Sequence, residues 1–341
     1  MNKYFIVIKF KSLINDGMRS SSFAHAGRTA RLAIFGFAML LGFPAYAGDQ
    51  YLLVSNREGR NILRYDAQTG AFVDELVAKD SGGMVVPYGM TLGPDHNLYV
   101  TSWSNDTFPA SNPVVLKFDS NSGEYLGTFA SASGMSAPAD LLFGPDGNLY
   151  VTDAGGKIFR FDGTTGASKG IFATGHPGDS FIGLAWDPDG NLYVAPEHGH
   201  HLDHFDGVTG ASLGTLPTLE TSLSTFMTFG PDGLLYVSDY FGGDVDVYNI
   251  NNQEFVESIH GLNGPAGLVF SDDGDFLVSS YFSNQIVKFE NGSGLPGTVF
   301  TGGPPLHGPI DLVMTPVPEA STYAMLLAGL GLLGFSARRR K

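Results

Sequence analysis

Between residues 138 and 174 the chain alternates apolar and polar positions in four short runs: "PADLLF", "NLYVTD", "KIFRFD" and "ASKGIFA". Alternation at period two, bounded by turn residues, predicts four β-strands. Gly144-Pro145-Asp146-Gly147 separates the first two. Proline presets φ there, aspartate hydrogen-bonds locally and glycine takes the positive-φ position. Thr165-Gly166 marks the turn between the third and fourth.

The same grammar recurs along the chain. "GPDGNLYVTD" at 144–153 has near copies starting at Gly93, Asp187, Gly230 and Ser271, so the steps are 51, 43, 43 and 41 residues. The third-strand pattern appears six times: "ILRYD" (62–66), "VLKFD" (115–119), "IFRFD" (158–162), "LDHFD" (202–206), "VDVYN" (245–249) and "IVKFE" (286–290). So does the first-strand pattern: "PYGMTL" (87–92), "PADLLF" (138–143), "FIGLAW" (181–186), "TFMTFG" (225–230), "PAGLVF" (265–270) and "PIDLVM" (309–314). The chain opens on a second strand, "YLLVSN" (51–56), and closes on a lone first strand, "PIDLVM". Pairing the two completes a sixth unit from both ends and removes open sheet edges. About 45 residues per unit fits a four-stranded propeller blade. The expected fold is all-β: a six-bladed β-propeller of four-stranded blades, closed by pairing N-terminal strands with a C-terminal strand.

These repeats resemble the NHL and regucalcin/gluconolactonase-like propeller families and, more loosely, the streptogramin lyases, over the whole of residues 51–314. The matching residues are turn and core residues, so the resemblance implies a fold. It leaves binding modules, calcium-dependent lactonases and lyases all open.

The two ends of the chain read differently. "RLAIFGFAMLLGFPAYA" (Arg31–Ala47) has a cationic flank, an apolar core and the small-x-small site Ala45-Tyr46-Ala47. Residues 1–47 therefore read as a secretory signal peptide cleaved before Gly48, with Met18 as the expected true start. Residues 48–316 hold the propeller. Residues 317–341 open with Val317-Pro318-Glu319, continue in a short apolar run and end in Arg338-Arg339-Arg340-Lys341. That run is shorter than the roughly 20 residues of a spanning helix, and its basic tail stays cytoplasmic. The three parts resemble the PEP-CTERM sorting signal, with Ala320 where a second proline is usual. The resemblance implies export across the inner membrane, an exosortase as partner, and a transient anchor through this segment. The destination is then the cell surface or extracellular matrix.

Charge and composition narrow the partners. Of 19 Lys and Arg, six precede Gly48 and four close the chain. The domain between keeps a net charge of about −23, which repels nucleic acid and anionic membrane. No cysteine is present, which excludes disulfides, thiolate metal sites and cysteine nucleophiles.

Propeller topology places the Pro-Asp-Gly and Thr-Gly turns at the bottom and the interblade and strand two–three loops at the top. "SDDGD" (271–275) is then a structural bottom turn, with too few spaced oxygens for calcium. Asp140 and Asp311 occupy the position that is glycine in "PYGM", "FIGL" and "PAGL". They face the channel from blades that are not neighbours. The gluconolactonase-like resemblance implies a divalent cation held there by Asp140, Asp311 and Asn263, although the family's glutamate in the first blade has no counterpart. The residues themselves are equally read as acceptors for backbone N–H groups lining the channel. "PEHGHHLDH" (196–204) is the densest histidine run, and Glu197, His198, His200 and His201 form a second candidate set for zinc or a similar ion. Solvated loop histidines are the plainer reading. The third feature is aromatic: Trp103 and Phe108 in the longest top loop, and the pairs Tyr240-Phe241 and Tyr281-Phe282. Such rings stack on sugars or contact proteins.

The sequence thus supports a non-catalytic, exported propeller that binds a polysaccharide or surface protein. The alternative is a metal-dependent hydrolase or lyase using calcium or zinc, with His198 or His200 as base.

Overall fold

The computed structural model describes residues 50–103, 112–197, 201–217, 223–290 and 296–316. Its strands follow the repeat closely. β1 (Tyr51–Asn56), β2 (Asn61–Asp66) and β3 (Phe72–Val77) open the chain. Blade two comprises β4 (Val86–Leu92), β5 (Leu98–Trp103), β6 (Val114–Phe118) and β7 (Tyr125–Ala130). Blade three comprises β8 (Pro138–Phe143), β9 (Leu149–Asp153), β10 (Lys157–Phe161) and β11 (Ser168–Thr174). Blade four comprises β12 (Phe181–Trp186), β13 (Leu192–Pro196), β14 (His201–Phe205) and β15 (Ser212–Pro217). Blade five comprises β16 (Ser224–Phe229), β17 (Leu235–Asp239), β18 (Asp244–Asn249) and β19 (Glu254–Ile259). Blade six comprises β20 (Pro265–Phe270), β21 (Phe276–Ser280), β22 (Gln285–Phe289) and β23 (Thr298–Gly302). The last strand, β24 (Pro309–Met314), returns to pair antiparallel with β1, so blade one runs β24-β1-β2-β3.

The six-bladed propeller expected from the repeat is therefore the fold. The inner strands β24, β4, β8, β12, β16 and β20 pack on one another in a closed ring. One register differs from the sequence expectation: the inner strand of blade five is Ser224–Phe229 rather than 225–230. Its terminal Gly230 belongs to the turn, where its N–H donates to Leu234 O.

Local chemistry explains the repeated decamer. In the turn of blade three Asp146 Oδ1 accepts the Asn148 N–H at 3.0 Å, and Tyr150 Oη donates to Asp146 Oδ2 at 3.0 Å. Tyr99 with Asp95 and Tyr236 with Asp232 repeat that tether. Gly147 has φ of 75°, which a residue without Cβ adopts freely. The cores lie between blade faces, as where Leu141, Leu149, Val151, Phe159 and Phe161 pack with Tyr99 of the preceding blade.

The "V-T/S" near the end of each second strand has a different purpose. Thr101, Thr152, Ser238 and Ser279 are fully buried, and each accepts a hydrogen bond from the inner strand of its own blade: from Gly89, Asp140, Phe226 and Gly267 N–H. Each hydroxyl then donates to a carbonyl of the next inner strand: Ala139, Ile182, Ala266 and Ile310. Ser55 donates likewise to Pro87 O at 3.1 Å. One small hydroxyl thus joins two blades at the axis. Blade four has Ala195 at this position.

The residue after the hydroxyl ties the top loops. Asn56, Ser102, Asp153, Asp239 and Ser280 accept backbone N–H groups of His307, Val85, Ser136, Leu223 and Asn263, each in the segment leading into its blade's inner strand. Blade four has Pro196 there.

Removing a bridging hydroxyl while keeping its shape strands two buried polar groups. Thr152→Val is therefore expected to cost about 1–3 kcal/mol, and Thr152→Ser much less. Urea unfolding of the two variants beside the parent chain checks this, and equal losses would show that the methyl, not the hydroxyl, matters.

Candidate functional site

Around the axis one residue of each inner strand forms a ring, the third of its strand in every blade but blade two, where Gly89 is the fourth of β4. In spatial order it reads Asp311, Gly89, Asp140, Gly183, Phe226 and Gly267. Bulky side chains and glycines alternate because the strands approach too closely for six Cβ atoms. A Cβ on Gly89 would lie 2.7 Å from Asp140 Cα, one on Gly183 2.8 Å from Phe226 Cα, and one on Gly267 2.6 Å from Asp311 Cα. The sequence pattern "TFMTFG" has Met227 as its third residue; the observed register, one residue earlier, puts Phe226 in the ring.

The two aspartates serve the strand edges that no further strand can pair. Asp311 Oδ2 accepts the Met90 N–H of β4 at 2.6 Å, while Oδ1 accepts that of Leu312 at 2.8 Å. Asp140 Oδ2 accepts the Leu184 N–H of β12 at 3.2 Å, and Oδ1 that of Leu141 at 2.8 Å. Asp140 is 5% exposed and Asp311 6%. Burial pushes Asp311 up to about 7. Burial, with the charge of Asp311 adding to it, holds Asp140 well above the usual carboxylate range. Asp140 and Asp311 also line a central cavity of about 550 Å³, whose other walls include Leu142, Leu184, Phe226 and Met227.

The top of the axis is closed by aromatic side chains. Phe226, Ala266 and Ile310 form a buried plug against which Tyr88, Tyr240 and Tyr281 pack. Tyr88 stacks on Phe226 with centroids 5.7 Å apart and meets Trp103 edge-on at 5.8 Å. Tyr240 contacts Phe241, Tyr281 and Phe282 at 5.1, 5.6 and 5.0 Å. Phe241 and Phe282 lie near-parallel, 18° apart with centroids at 6.5 Å, and are 63% and 49% exposed. Polar groups border this surface. Arg57 Nη1 donates to Tyr281 Oη at 3.1 Å and pairs with Glu58 at 3.0 Å, and Tyr281 Oη donates to Glu58. Desolvation raises the phenols of Tyr88 and Tyr240 above their ordinary range.

The structure therefore unites Trp103, Tyr240, Phe241, Tyr281 and Phe282 in one face, and adds Tyr88 and Phe226, which the sequence reading missed. Their signal was present in the first-strand pattern, one and zero places from the axial position. Phe108, His198 and His200 lie outside the described residues, as do Val317, Pro318, Glu319, Arg338, Arg339 and Arg340. Asn263 is exposed on the loop before β20; its N–H donates to Ser280 Oγ and its carbonyl accepts from Phe282. None of these bonds reaches Asp140 or Asp311. Glu197 follows β13, and its N–H donates to Ser180 O at 2.6 Å. His201 opens β14, where its Nε2 is 3.7 Å from Asp203 Oδ1.

Comparisons with known proteins agree with this architecture. Residues 316–341 match the family model for the PEP-CTERM protein-sorting motif, and residues 129–161 that for the strictosidine synthase-like N-terminal domain. No curated protein matches the chain. A crystal structure of a nidogen/laminin complex is similar at 15% identity, over 79% of this chain and 99% of that one, with a TM-score of 0.65. A protein of unknown function from Bacteroides caccae is similar at 13% identity over 79% and 99%, with a TM-score of 0.60. Virginiamycin B lyase from Staphylococcus aureus, crystallised as a catalytically inactive variant with quinupristin, is similar at 16% identity over 66% and 73%, with a TM-score of 0.53. At such identities the likeness is one of fold. The sorting motif implies exosortase-mediated sorting, export and a transient anchor through the C-terminus. Among the described residues no helix is long and apolar enough to cross a membrane.

The observed partners of Asp140 and Asp311 give a pH signature. Both carboxyls hold protons more tightly folded than unfolded, so between about pH 4 and 7 the native state binds more protons and stability falls as pH rises. Below that window both states are protonated and the penalty vanishes. Measured in chelator, Asp311→Asn should gain on the parent chain across this window, by at most about 4 kcal/mol. A cation held between the carboxylates would reverse the sign, because deprotonation favours the ligand form. A parent chain that instead gains on Asp311→Asn from pH 4 to 7, and loses that gain in chelator, overturns the edge-capping reading.

Proposed function

We propose that this exosortase-sorted propeller is a non-catalytic binding protein of the cell surface or extracellular matrix, and that its top aromatic face takes a polysaccharide. The observation that carries this reading is the Phe241–Phe282 pair: two near-parallel rings, exposed and held in place by Tyr240 and Tyr281 beneath them. Apolar rings offered flat to water match the C–H faces of sugar rings, and prior packing reduces the ordering cost of binding. Arg57 and Glu58 beside Tyr281 supply charged and hydroxyl partners of the kind that fix a sugar's orientation.

The axial carboxylates support binding over a metal-dependent hydrolase or lyase. Each of their four oxygens accepts a backbone N–H, and the top of the axis is filled by Phe226, Ala266 and Ile310. A substrate approaching the axial carboxylates from the top meets these residues first.

The exposed rings contribute little to stability, so their removal separates binding from folding. Phe241→Ala/Phe282→Ala should retain the parent's melting temperature while weakening retention on the producing cells' surface polysaccharide about tenfold or more, as loss of two stacking contacts implies. Affinity electrophoresis in that polysaccharide measures it. Equal migration of parent and variant sinks the sugar reading. Unretarded parent protein that still binds whole cells through these rings points to a protein ligand instead.

A further inference from the structure

Blade four lacks the devices that hold its neighbours together at the top. Ala195 stands where the other blades carry a bridging hydroxyl, and Pro196 where they carry a side chain that accepts a loop N–H. The interblade segment that this pair leaves untied to the second strand by a side chain is residues 175–180, between β11 and β12. It keeps the backbone bond from Glu197 N–H to Ser180 O. At the same place two imidazoles and two carboxylates converge: His176 and Asp179 from the segment, His201 and Asp203 from β14.

Asp179 Oδ2 accepts the His176 N–H at 2.6 Å, which sets the segment's turn, and no hydrogen bond joins one of the four side chains to another. One ligand atom from each lies within 4.8 Å of all the others. His176 Nδ1 is 3.5 Å from Asp179 Oδ2 and 3.4 Å from Asp203 Oδ1, and His201 Nε2 is 3.7 Å from the same Asp203 oxygen. These separations exceed a normal N–H···O bond of about 2.9–3.0 Å. Two of them, 3.4 and 3.5 Å, match the edges of a tetrahedron, about 3.3–3.6 Å, around an ion with arms of roughly 2.0–2.2 Å, and the third, at 3.7 Å, is 0.1 Å longer than that range. Asp203 is 2% exposed, its Oδ2 is buried with no hydrogen-bond partner, and so is His201 Nε2. A buried carboxylate oxygen and imidazole nitrogen left unbonded are costly unless something occupies the space between them. By contrast, His260 and Asp244 make an ordinary exposed ion pair at 2.8 Å.

We infer that His176, Asp179, His201 and Asp203 bind one zinc-class divalent transition ion, which ties the segment before β12 to β14 in place of the tethers that Ala195 and Pro196 cannot make. Imidazole nitrogen selects against calcium and magnesium, which prefer all-oxygen shells. Four protein ligands make the site structural rather than catalytic, and His176, 62% exposed, lies on the route by which the ion enters. The assignment keeps His201 from the histidine run and replaces the rest of it with residues from the preceding interblade segment. It stands independently of the aromatic face.

The test uses the full chain, stripped with chelator and titrated with zinc alone by calorimetry. One zinc per chain is expected, with a rise of several degrees in melting temperature and no response to calcium. His201→Ala and Asp203→Asn should each weaken zinc binding by more than the 10–100-fold typical of losing an outer-shell partner. His176→Ala, largely exposed and so safe for folding, should abolish the thermal response, and His260→Ala should change nothing. The inference is overturned if zinc fails to bind. It is equally overturned if binding survives His176→Ala and Asp203→Asn but is lost in His198→Ala/His200→Ala.

Discussion

Six sheets meeting on one axis leave six inner-strand edges that no further strand can pair, and crowd their Cα atoms together. Everything at the centre of this molecule answers that constraint. Glycine at every second axial position relieves the crowding, and the residues between, Asp140, Phe226 and Asp311, fill the space so released. Two of these carry carboxylates, each accepting an N–H of the glycine-bearing inner strand of the next blade. Five second-strand hydroxyls complete the joint by accepting from one inner strand or donating to the next. The cost is a pair of buried carboxyls that resist ionisation. Unpaired backbone groups at the same depth would cost comparably or more.

Closing the centre this way moves recognition outward. With Phe226, Ala266, Ile310 and the tyrosines filling the top, the exposed aromatic surface lies on the rim formed by the strand two–three loops of blades one, five and six, where the proposed ligand would bind. Those loops are anchored by Asn56, Asp239 and Ser280. The exposed rings of Phe241 and Phe282 therefore stand on side chains whose backbone is fixed from below. Blade four is the exception that exposes the rule. Where Ala195-Pro196 lacks the side-chain tether, two imidazoles and two carboxylates gather at the segment, the substitute fastening inferred above.

Much of this was legible in the sequence because the repeat is written in backbone chemistry. Pro-Asp-Gly, the tyrosine four residues after that aspartate and the alternating strand residues each report a local requirement, so the blades and their closure followed. The aromatic pairs were legible for the same reason, since Tyr240-Phe241 and Tyr281-Phe282 occupy equivalent loop positions. What was not legible depends on register or on space. A one-residue offset in blade five hid Phe226 at the axis, because Thr225–Gly230 and Ser224–Phe229 suit a strand pattern about equally. His176 and Asp179 sit in the interblade segment before β12 and His201 two strands later in β14, and no spacing rule links residues that only the fold of the blade brings together. For the axial aspartates the sequence offered both a cation and backbone N–H groups as partners, and only coordinates could display the bonds to Met90 and Leu184.

The closing strand also sets where the tail departs. β1 runs from the bottom of blade one up to the loop that carries Arg57, and β24 runs antiparallel beside it, so the chain leaves the propeller at the bottom. Thr315 is fastened there in both directions: its N–H donates to Tyr51 O, and its Oγ1 accepts the Tyr51 N–H, each at 2.8 Å. The sorting motif begins at the next residue. Cleavage within that motif would leave the ladder that closes the ring intact. Thr315 and the exposed rings of Phe241 and Phe282 therefore lie at opposite ends of the propeller's axis.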